Sequence, residues 1–261
     1  QAAVDHDAIR RDRINKLLPE AMKTHGLDMW LTFTRENTTD PILPTLGVEH
    51  IVARGAFVFI LKPDGTFRKV AIAASYDVEP IEKSGLYDKV ISYKKEGIKP
   101  HLRALVAEAD PKTIAINYSR DVTVSDGLTL GLRRYLDEAL GGEPDFTKRF
   151  VSAEKLVVSL LGRKLPQEIA ALRQAAEDTQ KIISEALTTG VIKPGVTTEI
   201  ALNDWMVARA KELGDKVAFA SIVVGPSRGH SEPTSRVIER GDTIRFDWGA
   251  SHGGYASDIQ R

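Results

Sequence analysis

The chain has 261 residues, 36 of them Lys or Arg and 36 Asp or Glu, so its formal net charge is zero. That balance argues against nucleic acid or an anionic membrane as the main partner, since both select a basic excess, and no run approaches the roughly 20 apolar residues of a membrane span. There are no cysteines, which excludes disulfides, thiolate zinc sites and cysteine nucleophiles and leaves Asp, Glu and His to hold any metal.

The first residue is Gln1. A cleaved secretory signal ahead of QAAVDHDAIR would imply a secreted or periplasmic protein; otherwise a cytoplasmic one is expected. From Asp7 to Thr24, the residues Ile9, Ile14, Leu17, Leu18 and Met22 share one helical face, and Gly26 closes the helix. Met29 to Phe33 reads as a buried strand. Gly55 to Leu61 and Phe67 to Ala74 pair as a hairpin around Lys62-Pro63-Asp64-Gly65. Lys89 to Tyr93 and Thr113 to Asn117 are further strands. Lys99 to Ala109 and Ser125 to Leu140 are helices, the second closed by Gly141-Gly142-Glu143-Pro144. The alternation predicts an α/β domain with a mixed sheet over residues 1–155.

The pattern then changes, and residues 156–261 are assigned to a second domain. From Pro166 one long amphipathic helix runs toward Gly190, with Ile169, Leu172, Ala176, Ile183 and Leu187 as its expected buried stripe. A second helix, Thr198 to Leu213, opens on a Thr-Thr-Glu capping pattern. Three strand-like runs follow: Val217 to Val224, Thr243 to Trp248 and Tyr255 to Ile259.

The chemistry concentrates in residues 219–261. Gly241-Asp242 turns the chain into Thr243-Ile244-Arg245-Phe246-Asp247, where Phe246 and Asp247 point to opposite faces. Ser251-His252-Gly253-Gly254 makes a tight turn, and the strand returns with Asp258 on it. A favourable register would put Asp247 and Asp258 on one face. Two carboxylates that close repel unless a cation lies between them, and divalent ions so held also acidify a bridging water. The plain alternative is that each Asp is an ordinary strand or turn residue.

The pattern G-D-x-x-x-x-D-W-G-A followed by G-Y-x-S-D-I-x-R resembles the metal-binding hairpin of the pita-bread peptidases, the family of Xaa-Pro aminopeptidase, Xaa-Pro dipeptidase, methionine aminopeptidase and the metal-free creatinase. The resemblance implies that Asp247 and Asp258 bind a pair of divalent ions, Mn, Co or Zn. G-H-S-E-P-T is similar to the segment whose His contacts substrate and stabilises the tetrahedral intermediate, which implies His230. By the same likeness Phe219 lines a substrate pocket. Residues before 156 resemble the amino-terminal α/β domain of the creatinase, prolidase and aminopeptidase P branch. The implied whole is a creatinase-like α/β domain followed by the first half of an α+β pita-bread domain. The implied activity is metal-dependent hydrolysis of peptides next to proline, by a homodimer or with a complementing C-terminal fragment.

The family's remaining ligands, one His and two Glu, come after the second Asp, where only Ile259, Gln260 and Arg261 stand here. The expectation is therefore a longer or completed protein, with this chain alone inactive and holding no metal. Arg245, on the face of Asp247, and the missing ligands motivate a second reading, a non-catalytic binding module of pita-bread shape. A third reading is a proteolytic fragment of the peptidase. Gly225-Pro226-Ser227-Arg228-Gly229 matches a G-x-S-x-G elbow in letters, but Pro233 stands where its helix should run. His252 is read as a solvated turn residue, Arg35, Glu36 and Asp40 as a solvated charge cluster, and Asn37 and Asn117 as glycosylation sequons in a secretory setting.

Overall fold

A computed structural model of the chain describes residues 4–38, 40–226 and 229–261. By its internal contacts the chain divides between Arg163 and Lys164, with Val4 and Asp5 falling with the later unit. Helix α6 (Glu154–Gly162) spans the boundary assigned from sequence at 155 and 156 and lies wholly in the earlier unit.

The amino-terminal unit is built on a six-stranded mixed sheet. Its strands are β1 (Met29–Thr34), β2 (Gly55–Leu61), β3 (Phe67–Ala74), β4 (Lys89–Tyr93), β5 (Ile114–Ile116) and β6 (Phe150–Ser152), in the order β4-β3-β2-β1-β5-β6. The hairpin β2–β3 pairs antiparallel, as its turn signal dictates. Strands β4, β5 and β6 each join in parallel to a neighbour. Parallel joins need crossovers: helix α4 (Lys99–Ala109) lies between β4 and β5, and α5 (Leu130–Leu140) between β5 and β6. Every residue of β1 is buried, as is all of β2 but its last. Two short helices, α1 (His6–Asp12) and α2 (Leu18–Thr24), flank a π-helical turn over Arg13–Leu17, and α3 (Val78–Lys83) precedes β4. Helix α5 starts five residues later than the sequence predicts. Thr129 caps it by accepting from Leu132 N at 3.3 Å, and a short 3-10 turn occupies Thr123–Ser125.

Arg35 and Glu36 are exposed, as a solvated charge cluster requires, but that reading fails at Asp40 and the sequon reading fails at Asn117. Asp40 is 0% exposed, and Asn117 Nδ2 donates to its Oδ2 at 2.7 Å. Asn117 also accepts from Trp30 Nε1 at 2.7 Å and donates to Thr32 Oγ1 at 3.2 Å. Asn117 is thus a core connector rather than an accessible sequon. The Asn37 sequon includes Thr39, which lies outside the described residues. Gly127 makes room for the buried carboxylate: a Cβ there would meet Asp40 Cγ at 2.2 Å.

The carboxy-terminal unit packs α7 (Pro166–Ala186) and α8 (Glu199–Glu212) on an antiparallel sheet of β7 (Lys216–Val224), β8 (Ile244–His252), β9 (Tyr255–Ala256) and β10 (Ile259–Gln260). Its core gathers Ile182, Ile183, Ala186, Leu202, Met206, Ile222, Val224, Phe246, Trp248 and Ala250. The buried face of α7 differs from the expected stripe. Ile169 and Leu187 are exposed, and Glu168, Ala171, Ala175, Asp178, Thr179, Ile182, Ile183 and Ala186 are buried. Small and polar side chains let the helix sit close to the sheet. Thr179 Oγ1 accepts from Ala250 N at 2.9 Å and meets Ser257 Oγ at 2.7 Å, and Glu168 accepts from Leu165 N and Tyr255 Oη.

Candidate active site

Strand β8 has one face in the core and one face open. Phe246, Trp248 and Ala250 point into the core, so alternation puts Arg245, Asp247 and Gly249 on the other face. Across the antiparallel pair, Ser221 stands opposite Asp247 and Phe219 opposite Gly249. On the other edge, Gln260 stands opposite Asp247, and Ser251 opposite Ala256. The returning strand is not continuous. Ser257 and Asp258 interrupt it, so Asp258 lies in a break between β9 and β10 rather than on the expected single strand. The same register holds on both sides of the break, which sets Asp258 against Gly249 and diagonal to Asp247.

The interruption has an identifiable cause. Ser257 is buried on the α7 side, where its N donates to Ala250 O at 2.9 Å and its Oγ engages Thr179. Asp258, the next residue, is accordingly turned to the open face and is exposed. Gly249 is needed opposite it: a Cβ there would lie 2.1 Å from Ser257 O and 2.9 Å from Phe219 Cε1. Diagonal residues of an antiparallel pair have Cα atoms about 7–8 Å apart, a span that two carboxylates can close around divalent ions.

Asp247 is 4% exposed. Its Oδ2 meets His230 Nδ1 at 2.9 Å and accepts from Gln260 Nε2 at 3.0 Å. The loop brings His230 there because its neighbour is anchored. Ser221 Oγ donates to Ser231 O at 2.8 Å and accepts from Ser231 N at 3.2 Å. A second anchor is Glu199, 0% exposed at the first turn of α8. Its carboxylate accepts from Val224 N at 2.8 Å, where β7 ends, and from Thr234 N and Oγ1 at 2.8 and 2.6 Å, where the loop returns. Glu199 therefore clamps both stems of the segment carrying His230. Arg245 donates to Gly229 O in the same loop. The elbow-like Ser227 and Arg228 lie outside the described residues.

The face thus assembles Asp247, Asp258, His230 and the half-exposed ring of Phe219. Sequence reasoning missed Glu199, Ser221, Gly249 and Gln260 as its supports. For Glu199 a signal existed: it follows the capping Thr198 directly, one position in, where it cannot complete a capping box that needs the carboxylate three residues on. The donor chemistry fits divalent ions. Carboxylate oxygens with an imidazole close by suit divalent ions, and His230 Nδ1 and Gln260 Nε2 lie 2.9 and 3.0 Å from the Asp247 oxygen. A cavity of about 590 Å³ lies elsewhere, in the amino-terminal unit, lined by His25, Thr113, Val151 and Glu154 among others, and touches none of these residues.

A two-helix layer on an antiparallel sheet, with paired acids across a glycine on its open face, is the class of site seen here, and comparison with known proteins places it. Residues 170–261 match the model of metallopeptidase family M24. An uncharacterised peptidase of Bacillus subtilis, YqhT, is 31% identical over 101 residues, covering 38% of this chain and 28% of that protein. The chain superposes on the Xaa-Pro dipeptidase from Bacillus anthracis with a TM-score of 0.61 and 23% identity, covering 97% of this chain and 64% of that one. For the X-Pro aminopeptidase from Thermotoga maritima the TM-score is 0.61 at 22% identity, with 93% and 64% covered. The match to that family's model is confined to the carboxy-terminal segment, and the fold is that of the pita-bread peptidases: a mixed-sheet α/β unit followed by the helices and hairpin of the pita-bread domain. The chain spans 64% of the length of those two structures. No helix among the described residues is long and apolar enough to cross a membrane.

Proposed function

We propose that the whole protein is a metallopeptidase that cleaves peptides next to proline, as an Xaa-Pro aminopeptidase or dipeptidase. The observation that carries this reading is the diagonal placement of Asp247 and Asp258 across Gly249 on the open face, with His230 drawn against Asp247. In it Asp247 and Asp258 would hold two divalent ions. Divalent ions bound there would supply Lewis acidity and lower the pKa of a bound water. His230 sits at the rim, exposed, where its ring can donate to the oxyanion as the tetrahedral centre forms. Phe219 offers an apolar surface for the side chain or proline ring of the peptide. Likeness to Xaa-Pro peptidases supports the substrate class, and a homodimer is the proposed assembly.

A non-catalytic binding module is the second reading, and Arg245 favours it because it adds a cation to the metal face. Against it, the Arg245 guanidinium is engaged by the Gly229 carbonyl of the His230 loop. The experiment is hydrolysis of an Xaa-Pro peptide, with an Xaa-Ala peptide as control, in the presence of Mn²⁺, Co²⁺ or Zn²⁺. Cleavage at proline alone, lost in Asp258→Asn, is the expected result. Undiminished cleavage by Asp258→Asn would remove Asp258 from the reaction, and metal-independent binding of the proline peptide without turnover would favour the module.

A further inference from the structure

A second group of donors lies in the carboxy-terminal unit away from the open face. Asp178 on α7, Asp215 in the turn leading into β7 and His252 at the end of β8 each bring one ligand atom within 4.8 Å of the others. His252 closes β8, paired with Tyr255. Its side chain is 17% exposed and its Nδ1 lies 2.7 Å from Asp215 Oδ1. It is therefore not the solvated turn residue that Ser-His-Gly-Gly implies; the turn is carried by Gly253 and Gly254 alone.

Both carboxylates have left water. Asp178 is 7% and Asp215 6% exposed. Gln174 Nε2 donates to Asp178 Oδ2 at 2.7 Å, whereas Asp215 Oδ2 is buried without a hydrogen-bond partner among the described residues. A buried, unbonded carboxylate oxygen is among the costlier features a fold can keep, and it costs more with a second carboxylate beside it. Burial pushes the Asp215 carboxyl upward, the His252 hydrogen bond opposes this, and the charge of Asp178 adds to it. One imidazole cannot balance two carboxylates. Around a tetrahedral divalent ion with bonds of about 2.1 Å, ligand atoms stand about 3.4 Å apart, which this group reaches by small side-chain movements.

We propose that Asp178, Asp215 and His252 bind one divalent cation of the Zn²⁺ type, completed by water at the exposed edge of His252. The cation takes the oxygen that has no partner and ties α7 to the ends of β7 and β8. Its role is structural, and the inference does not rest on the peptidase reading. The test uses the double variant Asp247→Asn/Asp258→Asn, in which the open face has lost its acids. Equilibrium dialysis against Zn²⁺ should still find one ion per chain, and zinc should raise the melting temperature. Adding His252→Gln should weaken binding by at least tenfold and abolish that rise. Circular dichroism checks that the triple variant folds; should it not, Co²⁺ added to the double variant should produce a paramagnetically shifted His252 imidazole resonance. A double variant that binds no zinc, a triple variant that binds as tightly, or an unshifted His252 would each overturn the proposal. Peptide hydrolysis is absent from every readout, so failure here is separate from failure of the proline-peptidase reading.

Discussion

The two sheets of this protein solve different problems. In the amino-terminal sheet, β1 and β2 are buried along nearly their whole length, and their sequences, MWLTFT and GAFVFIL, are close to continuous apolar runs. In the carboxy-terminal sheet β8 alternates in character rather than in burial, with Phe246, Trp248 and Ala250 in the apolar core and Arg245, Asp247 and Gly249 on the opposite face, where Asp247 is buried against His230 and Gln260. A strand that is apolar on both faces can only contribute stability, whereas a strand with one polar face has side chains left over for chemistry. The difference predicts that substitutions on the two sheets fail in different ways.

The largest expected effect is Asp258→Asn. Asp258 is exposed, so the variant should unfold within about 0.5 kcal/mol of the parent in urea, yet Xaa-Pro hydrolysis by the whole protein should disappear. A large fall in stability with activity retained would invert the comparison. Next is Glu199→Ala. This change removes an acceptor shared by Val224 and Thr234 and should cost about 4 kcal/mol in urea unfolding, since hydrogen bonds to a charged acceptor are the stronger ones and their donors would be left buried. It sharpens the comparison, because Glu199 belongs to the supports of the open face and should reduce activity as well, through the His230 loop.

Asn117→Ala tests the amino-terminal sheet in the same currency. Trp30 Nε1 and the Asp40 carboxylate both lose a partner, and the expected loss is about 2 kcal/mol. Its neighbour adds a pH signature. Burial raises the Asp40 carboxyl above its ordinary value of 3.8 more than the Asn117 and Ile42 hydrogen bonds lower it. The native state then holds that proton more tightly than the unfolded chain, so this contribution to stability declines as pH rises from 3.8 toward the raised value. Asp40→Asn should flatten that decline in urea titrations at successive pH values; an unchanged slope would mean that Asp40 ionises freely.

The elements legible in the sequence were those whose local signals and tertiary burial agree. The β2–β3 hairpin and α4 follow the residues read for them, because Asp64-Gly65 and Pro100 are punctuation that no packing overrides. The α7 stripe was misread for the opposite reason. Apolarity pointed to Ile169 and Leu187, but the close approach of α7 to the β8 hairpin selects Ala175, Thr179 and Asp178, which hydropathy ranks as surface. Asp247 and His230 lie in motifs that the sequence displays, and the fold brings the two within 2.9 Å. Their clamps could not be read there, since the contacts of Glu199 with Thr234 and of Ser221 with Ser231 join residues 35 and 10 positions apart, and Asp215 meets His252 across 37.

The smallest effect lies at the rim of the amino-terminal sheet. Arg68 donates to Glu108 at 2.7 Å, with 28% and 62% of the two side chains exposed. The hydrogen bond and charge of Arg68 hold the Glu108 carboxyl below its ordinary value of 4.5. A depressed carboxyl contributes stability above its unfolded value and loses it as pH falls through the folded one, so the effect belongs to neutral pH and fades in acid. Solvent screens so exposed a pair, and Arg68→Gln should cost about 0.5 kcal/mol or less. Added salt should shrink even that. A loss several times larger would mean that this edge of the sheet depends on charge as the open face does, and the contrast between the two sheets would then rest on burial alone.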